Sequence, residues 1–253
     1  MELKLLQADL LQLLCDFDAL CKDHNIPYTL QGGTLLGAVR EHGFIPWDDD
    51  VDIAMTRTSY CKLLSLLETI PSDFEIQGNL KKQFRRCGDQ NAWVDIFIFD
   101  YISENRIAQT CKLLLLTVLD IMNRARNTIR MSNFSKYSRS KRIVYKLIYV
   151  LGHLFPKTWK VKWYSVVSEN WFLGSKKLIF KSNDQYSARK MIFPEDWIAE
   201  YLYVPFENRM LPIMKEYHLM LSGWYGDNYM TPVKEDQNAQ LHDMVRSDST
   251  FQL

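Results

Sequence analysis

Cysteine is scarce in this sequence, and its number and spacing argue against two common kinds of cross-link. The chain has five cysteines, an odd number, and no Cys-X-X-Cys pair. Neither a disulfide framework nor a zinc site is therefore indicated. Reduced thiols in a cytoplasmic protein are the simplest interpretation, because free cysteine usually packs as a small buried hydrophobic residue.

A long apolar segment is also missing. A helix that crosses a bilayer needs about 18–20 apolar residues, whereas the best candidate, Leu113 to Met122, is short and contains Asp120. The N-terminal segment carries acidic residues throughout and has leucines at helical spacing. It predicts an amphipathic helix over residues 2–23, not a signal peptide. We therefore expect a cytoplasmic location.

The chain has almost no excess of either charge. It contains 31 Lys and Arg residues against 30 Asp and Glu residues, for a net charge of +1. The molecule as a whole is therefore not a polyanion binder, and we expect no nucleic acid partner. Its 253 residues, with 47% apolar and 24% charged side chains, are ordinary for a globular protein. They suffice for one large domain or for one domain with an insertion.

One region contains no acidic residue at all, namely the stretch between Ile121 and Ser168. Its eleven basic residues are Arg124, Arg126, Arg130, Lys136, Arg139, Lys141, Arg142, Lys146, Lys157, Lys160 and Lys162. Aromatic residues are interleaved with them, which favours peripheral contact of 121–168 with an anionic membrane. Single-stranded nucleic acid is a competing ligand for such a composition, and a plain solvated helical surface is the simplest alternative.

Helix and strand patterns alternate along the rest of the chain and predict an α/β (α+β) fold. Strands are expected at Tyr28–Gln31, Val51–Met55, Phe74–Gln77, Gln83–Cys87 and Trp93–Phe99, and helices at Thr34–Arg40, Ser59–Thr69 and about Pro212–Leu221. Thr34 is the expected N-cap of its helix. We divide the chain into a core with the acidic site at 1–105, a basic, mostly helical insertion at 106–185, and a part at 186–253 that completes the core.

A run of aspartates is the most informative motif, since Asp50 and Asp52 flank Val51 in a strand-like pattern. Residues i and i+2 of a strand share one face, so both carboxylates point the same way while Val51 and Ile53 point into a core. Neighbouring carboxylates repel each other unless cations lie between them. The motif therefore predicts a divalent metal site.

A third carboxylate, Asp95, interrupts the apolar strand WVDIFIF. A buried, unpaired carboxylate is costly, so Asp95 needs a partner, and the same metal is the simplest one. Oxygen ligands suit Mg²⁺ or Mn²⁺, and two such ions about 3.5–4 Å apart can clamp a displacement at phosphorus. The alternative is a solvated acidic loop, with Asp95 paired to an arginine.

Several residues near these aspartates are candidates for binding a phosphorylated ligand. Gly32, Gly33 and Thr34 open a short helix whose backbone N–H groups suit a phosphate. Arg40, at the end of that helix, can reach a phosphate oxygen or form a surface ion pair. Trp47 can stack on a base, cover a choline-like cation or pack in the core.

Four basic residues precede the Asp95 strand: Lys81, Lys82, Arg85 and Arg86. Alternate members share one face of a strand, so one pair can meet a diphosphate while the other meets solvent. The sequence does not decide between the pairs, and we include Arg85 among the donor-binding candidates.

The segment GGTLLGAVREHGFIPWDDDVDIAMTR, which begins at Gly32, resembles the signature of the LicD family. That family includes bacterial phosphocholine transferases and is related to the fukutin-type phosphotransferases. Similar elements recur at Val94–Phe97, Ile192–Pro194, Val204–Pro205 and Trp224–Met230. The resemblance covers about 24–100 and 190–235, and the basic insertion departs from it.

The resemblance implies a nucleotidyltransferase-like mixed sheet flanked by helices. It also implies metal-dependent transfer of a substituted phosphate from a nucleotide diphosphate donor, CDP-choline in known bacterial members, to a sugar hydroxyl. On this basis Asp50 and Asp52 hold the metals, and Asp95 is a third ligand and a candidate base. The glycines of the turn, with Thr34, cradle the donor phosphates.

We therefore expect a phosphotransferase, cytoplasmic or peripheral on the inner face of the membrane. Its acceptor is a glycan or lipid-linked glycan precursor of lipopolysaccharide, teichoic acid or capsule. Three alternatives share the same residues. A nucleotidyltransferase would release pyrophosphate, a related transferase would move phosphoethanolamine or a polyol phosphate, and a non-catalytic, membrane-associated glycan assembly factor would keep the acidic site as a remnant.

Overall fold

The structure is a computed structural model that describes residues 3–69, 73–124, 138–184 and 186–232. Its helices are α1 (Leu3–Asp23), α2 (Gly32–Arg40), α3 (Arg57–Thr69), α4 (Arg106–Asn123), α5 (Arg139–Gly152), α6 (Lys157–Asn170), α7 (Tyr186–Arg189) and α8 (Tyr217–Tyr225), with a 3-10 helix at Glu195–Ile198. Its strands are β1 (Thr29–Leu30), β2 (Asp52–Thr56), β3 (Phe74–Gln77), β4 (Lys82–Arg86), β5 (Val94–Ile102), β6 (Leu178–Lys181), β7 (Ile192–Pro194), β8 (Tyr201–Phe206) and β9 (Arg209–Met214). Among these described residues, no helix has both the length and the apolar character needed to cross a membrane.

The chain forms two compact units. Unit 1 comprises residues 1–100 and 179–253, and unit 2 comprises residues 101–178. The three-part division at 106 and 186 stays a prediction about domains. Residues 125–137, which carry three of the eleven basic side chains of the predicted insertion, lie outside the described residues.

Unit 1 is built on a seven-stranded mixed sheet, which confirms the predicted α/β class. Five strands follow the order β1-β2-β5-β4-β3, while β6 pairs with both β5 and β7. The pairing of β2 with β5 is parallel, whereas β1 and β4 run antiparallel to their central neighbours. Strands β8 and β9 form a separate antiparallel pair.

Helix α1 packs against this sheet because its apolar residues recur at helical spacing. Leu10, Leu13, Leu14 and Phe17 are at most 2% exposed. The Phe17 ring meets the Phe84 ring of β4 edge-on, with 5.0 Å between the ring centroids. This buried stripe is the pattern expected of an amphipathic helix on a core, and it confirms the helix predicted for the N-terminal segment.

A buried side-chain amide stabilises the centre of the sheet. Asn183, just after β6, accepts a hydrogen bond from the Ile98 N–H at 2.8 Å and donates one to the Ile96 carbonyl at 2.8 Å. It therefore pairs two backbone groups of β5 that would otherwise be buried without partners.

Unit 2 uses two of its lysines as internal cross-links. The Lys112 Nζ donates to the carbonyls of Tyr101 and Ser168 at 2.7 and 2.8 Å, and Lys112 is fully buried. The Lys160 Nζ donates to the carbonyls of Met122 and Gly152 at 2.8 and 2.9 Å. Carbonyls near helix C-termini lack partners within the helix, and an ammonium group satisfies them. Lys160 is therefore a structural residue, not one of the surface cations.

Three local predictions were wrong. Helix α2 begins at Gly32 with Gln31 at the N-cap position, so Thr34 is not the cap. The reason is that Gly32 adopts a left-handed φ of +58°, so that β1 ends at Leu30, one residue earlier than expected, and α2 begins two residues earlier than expected. Asp50 precedes β2, which begins at Asp52. The expected helix at Pro212–Leu221 begins only at Tyr217, because Arg209–Met214 pairs with β8.

Replacing Asn183 tests the proposed stabilisation of β5. In Asn183→Leu the Ile98 N–H and the Ile96 carbonyl lose their partner while the larger apolar side chain excludes water. We expect a loss of about 1–3 kcal/mol in the free energy of unfolding, measured by urea denaturation. The control is Asn170→Ala, at an exposed position at the end of α6. Equal stability of the two variants would contradict the assignment.

Candidate active site

A cavity of about 260 Å³ in unit 1 brings together five carboxylates. Its lining residues come from α2, β2, β5, β6, α7 and α8 and from the loops that follow β1, precede β2 and β4, and follow β6. They are Gln31, Gly32, Gly33, Asp48, Asp50, Asp52, Lys81, Asp95, Phe97, Lys181, Asp184, Ala188, Trp224 and Tyr225. The three predicted metal ligands and both glycines of the turn therefore lie in one cavity.

The parallel pairing of β2 with β5 places Asp52 directly opposite Asp95. The Asp52 N–H donates to the Thr34 Oγ1 at 2.8 Å, and the Asp52 carbonyl accepts from the Gln31 N–H at 3.0 Å. The Asp95 Oδ1 accepts from the Gln83 Nε2 at 3.1 Å. Both carboxylates are thus fixed through their backbone or side chain to neighbouring elements.

The remaining acidic residues of the motif lie in the loop before β2. Carboxylate oxygens of Asp48, Asp49 and Asp50 lie within 4.8 Å of one another. Among the residues that the structure describes, these three side chains form the group of possible metal ligands whose ligand atoms all lie within that distance of one another. Asp52 and Asp95 share the cavity with Asp48 and Asp50 without belonging to that tight group. Asp48, which the sequence-based site did not include, is therefore a further candidate ligand.

Burial and mutual repulsion make negative charge unfavourable in this cavity. Burial raises the pKa of Asp52 well above its usual range, and repulsion from Asp50 and Asp95 adds to the effect, while Lys181 opposes it. Burial, followed by repulsion from Asp50 and Asp49, raises the pKa of Asp48 to about 7. Burial also raises the pKa of Asp95, against the hydrogen bond from Gln83. A bound cation would relieve this repulsion.

Lys81 and Lys181 are the basic residues among the described residues that line the cavity. The Lys181 Nζ lies 2.8 Å from the Asp184 Oδ2 and 3.9 Å from the centroid of the Trp224 ring. Lys181 is 3% exposed, so its ammonium group is held between a carboxylate and an aromatic face. The two ammonium groups are too few to balance the negative charge of the five carboxylates.

Gln31 contributes an unsatisfied side-chain amide to the same cavity. The residue is fully buried, and neither its Nε2 nor its Oε1 has a hydrogen-bond partner among the residues that the structure describes. Buried amides are normally paired, because leaving them unpaired costs about 1–3 kcal/mol. An unpaired amide that lines a cavity indicates that a polar ligand completes it.

The two glycines leave room for the carboxylates. A Cβ atom on Gly32 would lie 2.6 Å from the Asp52 Oδ2, and one on Gly33 would lie 2.6 Å from the Asp48 Oδ2. Any side chain at either position would displace an aspartate. The Gly-Gly turn therefore sets the position of the acidic groups, besides leaving the start of α2 open to a ligand.

Four other predicted site residues lie outside the cavity lining, namely Thr34, Arg40, Trp47 and Arg85. Thr34 is buried and supports Asp52. The Arg40 Nε pairs with the Glu41 carboxylate at 2.7 Å, and its Nη1 donates to the Tyr229 carbonyl at 3.2 Å. Trp47 is half-buried and does not line the cavity.

Arg85 lies behind the cavity wall and acts through a neighbour. Its Nη2 donates to the Gln83 Oε1 at 2.6 Å, and Gln83 in turn donates to Asp95. Arg85 therefore orients the amide that holds Asp95 in place. The predicted contact of Arg85 and Arg40 with a donor phosphate stays a prediction.

Residues 25–114 match the family model described as LicD/FKTN/FKRP, nucleotidyltransferase domain. The chain is 29% identical over 259 residues to the lipopolysaccharide cholinephosphotransferase LicD of Haemophilus influenzae, which covers 90% of this chain and 91% of that protein. Uncharacterised proteins of Rickettsia typhi and Rickettsia prowazekii are 38% and 45% identical over 91 and 92 residues, about a third of each chain.

The bond from Asp52 to Thr34 generates a prediction about stability. In Thr34→Val the shape is kept but the Asp52 N–H loses its acceptor, so we expect a loss of about 1–3 kcal/mol in the free energy of unfolding. Thr34→Ser keeps the hydroxyl and is the matched control. Urea denaturation of both variants measures the difference. A valine variant as stable as the serine variant would show that the hydroxyl does not hold β2.

Proposed function

Because the chain belongs to the LicD family and is a transferase, we propose that it moves phosphocholine from CDP-choline to a sugar hydroxyl. The acceptor we propose is a lipopolysaccharide precursor, with teichoic acid and capsule precursors as further members of the same acceptor class. Similarity to the Haemophilus influenzae enzyme along 90% of the chain supports this choice of group and acceptor. We place the reaction in the cytoplasm, where we expect the nucleotide-linked donor.

The excess of acidic groups in the cavity is the observation that carries the proposal. Five carboxylates face two ammonium groups there, and burial raises the pKa of several of these carboxyls. An anionic diphosphate would be repelled from such a cavity unless cations accompanied it. Hard oxygen ligands with this mutual repulsion fit Mg²⁺ or Mn²⁺.

We propose that Asp48, Asp50, Asp52 and Asp95 hold the metal. A bound ion would neutralise charge on the donor diphosphate and on the transferred phosphate. The start of α2 lies beside these carboxylates, and its glycines let the backbone approach a phosphate closely. Lys81 and Lys181 supply the positive charge of the chain itself, and the Gln31 amide supplies a donor and an acceptor to the bound substrate.

The transfer step is an in-line displacement. The sugar oxygen attacks the phosphorus that carries choline and forms a new P–O bond. The bond from that phosphorus to the bridging oxygen breaks, and CMP leaves with the bonding electrons. The hydroxyl proton goes to the Asp95 carboxylate, which Gln83 keeps in position.

The aromatic wall of the cavity suits the choline group. Phe97, Trp224 and Tyr225 line it, and aromatic faces bind quaternary ammonium ions. Lys181 already covers one face of Trp224, so the trimethylammonium group would use the remaining surface. Trp47, outside the lining, is less suited to this role than the sequence indicated.

Product analysis tests the reaction. With Mg²⁺ and a glycan acceptor, we expect CDP-choline to yield CMP and a phosphocholine-modified glycan, and CDP-ethanolamine or a CDP-polyol to react more slowly. Chromatography of nucleotides and mass spectrometry of the glycan measure both products. Pyrophosphate release from a nucleoside triphosphate would favour a nucleotidyltransferase instead, and faster turnover of CDP-ethanolamine or a CDP-polyol would reassign the transferred group.

Neutralising single carboxylates tests the site. Asp52→Asn and Asp95→Asn should each lower the rate of CMP release by at least about 100-fold, because charge stabilisation of the transition state is lost. Their melting temperatures without metal should not fall, since each substitution removes a repulsive charge. Asp23→Asn, at an exposed position in α1, is the matched control. Near-normal activity of both site variants would exclude this cavity as the catalytic centre.

A further inference from the structure

A stripe of exposed apolar side chains runs along α5 in unit 2. The exposed fractions are 53% for Ile143, 54% for Val144, 57% for Leu147, 62% for Val150, 54% for Leu151 and 74% for Leu154. Their spacing is that of one helix face, continued into the turn after the helix. In a globular protein such a stripe normally faces the core.

The opposite side of α5 is the side that packs within unit 2. Gly152 lies so close to α4 that a Cβ atom there would be 2.8 Å from the Met122 Cα. Tyr145 and Tyr149, which share that side, are half-buried. The helix therefore already has a packed face, and its apolar stripe is a second face directed outward.

Exposed aromatic residues continue this surface along the chain. Phe155, Trp159 and Trp163 are 37%, 56% and 40% exposed. The Trp159 and Trp163 ring centroids lie 6.3 Å apart, and those of Phe155 and Trp163 lie 5.4 Å apart. Tryptophan is enriched where proteins meet the headgroup region of a bilayer. We call the α5 stripe and these three rings the outward apolar face.

The charge around the outward apolar face indicates what covers it. The outward apolar face is built from α5, the turn after it, and α6. The exposed basic residues of these two helices are Arg139, Lys141, Lys146, Lys157 and Lys162. The sequence contains no acidic residue between Ile121 and Ser168. A second copy of the chain would bring the same positive charge to the interface, and single-stranded nucleic acid would leave the aliphatic stripe in water.

We propose that the outward apolar face docks on the surface of an anionic lipid bilayer. The aliphatic side chains and indole rings insert between headgroups, and the flanking lysines and arginines pair with anionic lipid phosphates. This attachment requires neither the acidic cavity nor its chemistry, so it stands or falls separately from the proposed transfer reaction. It would hold the enzyme at a membrane where lipid-linked acceptors are found.

Flotation of the full chain with vesicles tests this docking. We expect binding to vesicles of phosphatidylcholine mixed with phosphatidylglycerol and much weaker binding to phosphatidylcholine alone. Leu147→Glu combined with Leu151→Glu should weaken binding to the mixed vesicles at least about tenfold, because two apolar anchors are lost and like charge is added. Lys141→Gln with Lys146→Gln should weaken it only for the anionic vesicles.

Controls separate docking from folding. Leu5→Glu changes a leucine of similar exposure, 61%, in α1 of unit 1 and should bind as the parent does. Because the substituted side chains are largely exposed, melting temperatures should change little.

As a second readout, the tryptophan emission of the parent should shift to the blue on adding mixed vesicles, and Trp159→Phe with Trp163→Phe should remove most of that shift.

Three results would overturn the proposal. The first is unchanged vesicle binding in the Leu147→Glu, Leu151→Glu protein. The second is a dimer in light scattering that these two substitutions convert to a monomer, which would make the face a self-association surface. The third is a single-stranded oligonucleotide that binds through the same lysines and does so equally well without the two leucines.

Discussion

Two carboxylates that repel each other are held side by side by the parallel pairing of β2 with β5. The register places Asp52 against Asp95, and the backbone bonds of the sheet prevent them from moving apart. Carboxylates free in solution would separate or take up protons. Here burial raises the pKa of both groups, and repulsion from Asp50 and Asp95 raises the pKa of Asp52 further. The sheet thus holds these carboxylates in an electrostatically unfavourable arrangement that a bound cation would relieve.

The surroundings of the site keep this strain from being relieved in other ways. Thr34 and Gln31 hold the backbone of Asp52, and Gln83, itself oriented by Arg85, holds the Asp95 carboxylate. Gly32 and Gly33 allow the carboxylates of Asp52 and Asp48 to lie close to the start of α2, because a Cβ atom at either glycine would collide with one of them. The site is therefore a rigid frame around an unfavourable charge, and such a frame would be preorganised for a bound cation.

The sequence was most informative where chemistry and local pattern coincide. Asp50, Asp52 and Asp95 stand out because carboxylates in strand-like apolar surroundings are rare, and the α/β class follows from alternating periodicities. Lys181 and Asp184 enter the same cavity from far along the chain, and no local pattern shows that β6 will pair with β5. The charge of Arg85 is visible in the sequence and suggests a phosphate ligand, whereas its hydrogen bond to the Gln83 amide depends on the pairing of β4 with β5 and is not visible there. Thr34 is not the N-cap of α2, because the left-handed backbone of Gly32 lets the helix begin at Gly32.

A net charge of +1 conceals a strong separation of charge between the two units. Five acidic side chains line the cavity of unit 1, while the described helices α5 and α6 of unit 2 carry exposed basic residues. Not every cation there faces outward, since Lys112 and Lys160 are buried against backbone carbonyls and fix the packing of α4, α5 and α6. With the packing secured by these internal cross-links, the outward side of α5 is not needed for a core. Its aliphatic residues are then best explained by contact with something outside the chain, and the flanking positive charge favours an anionic surface over another copy of the same face.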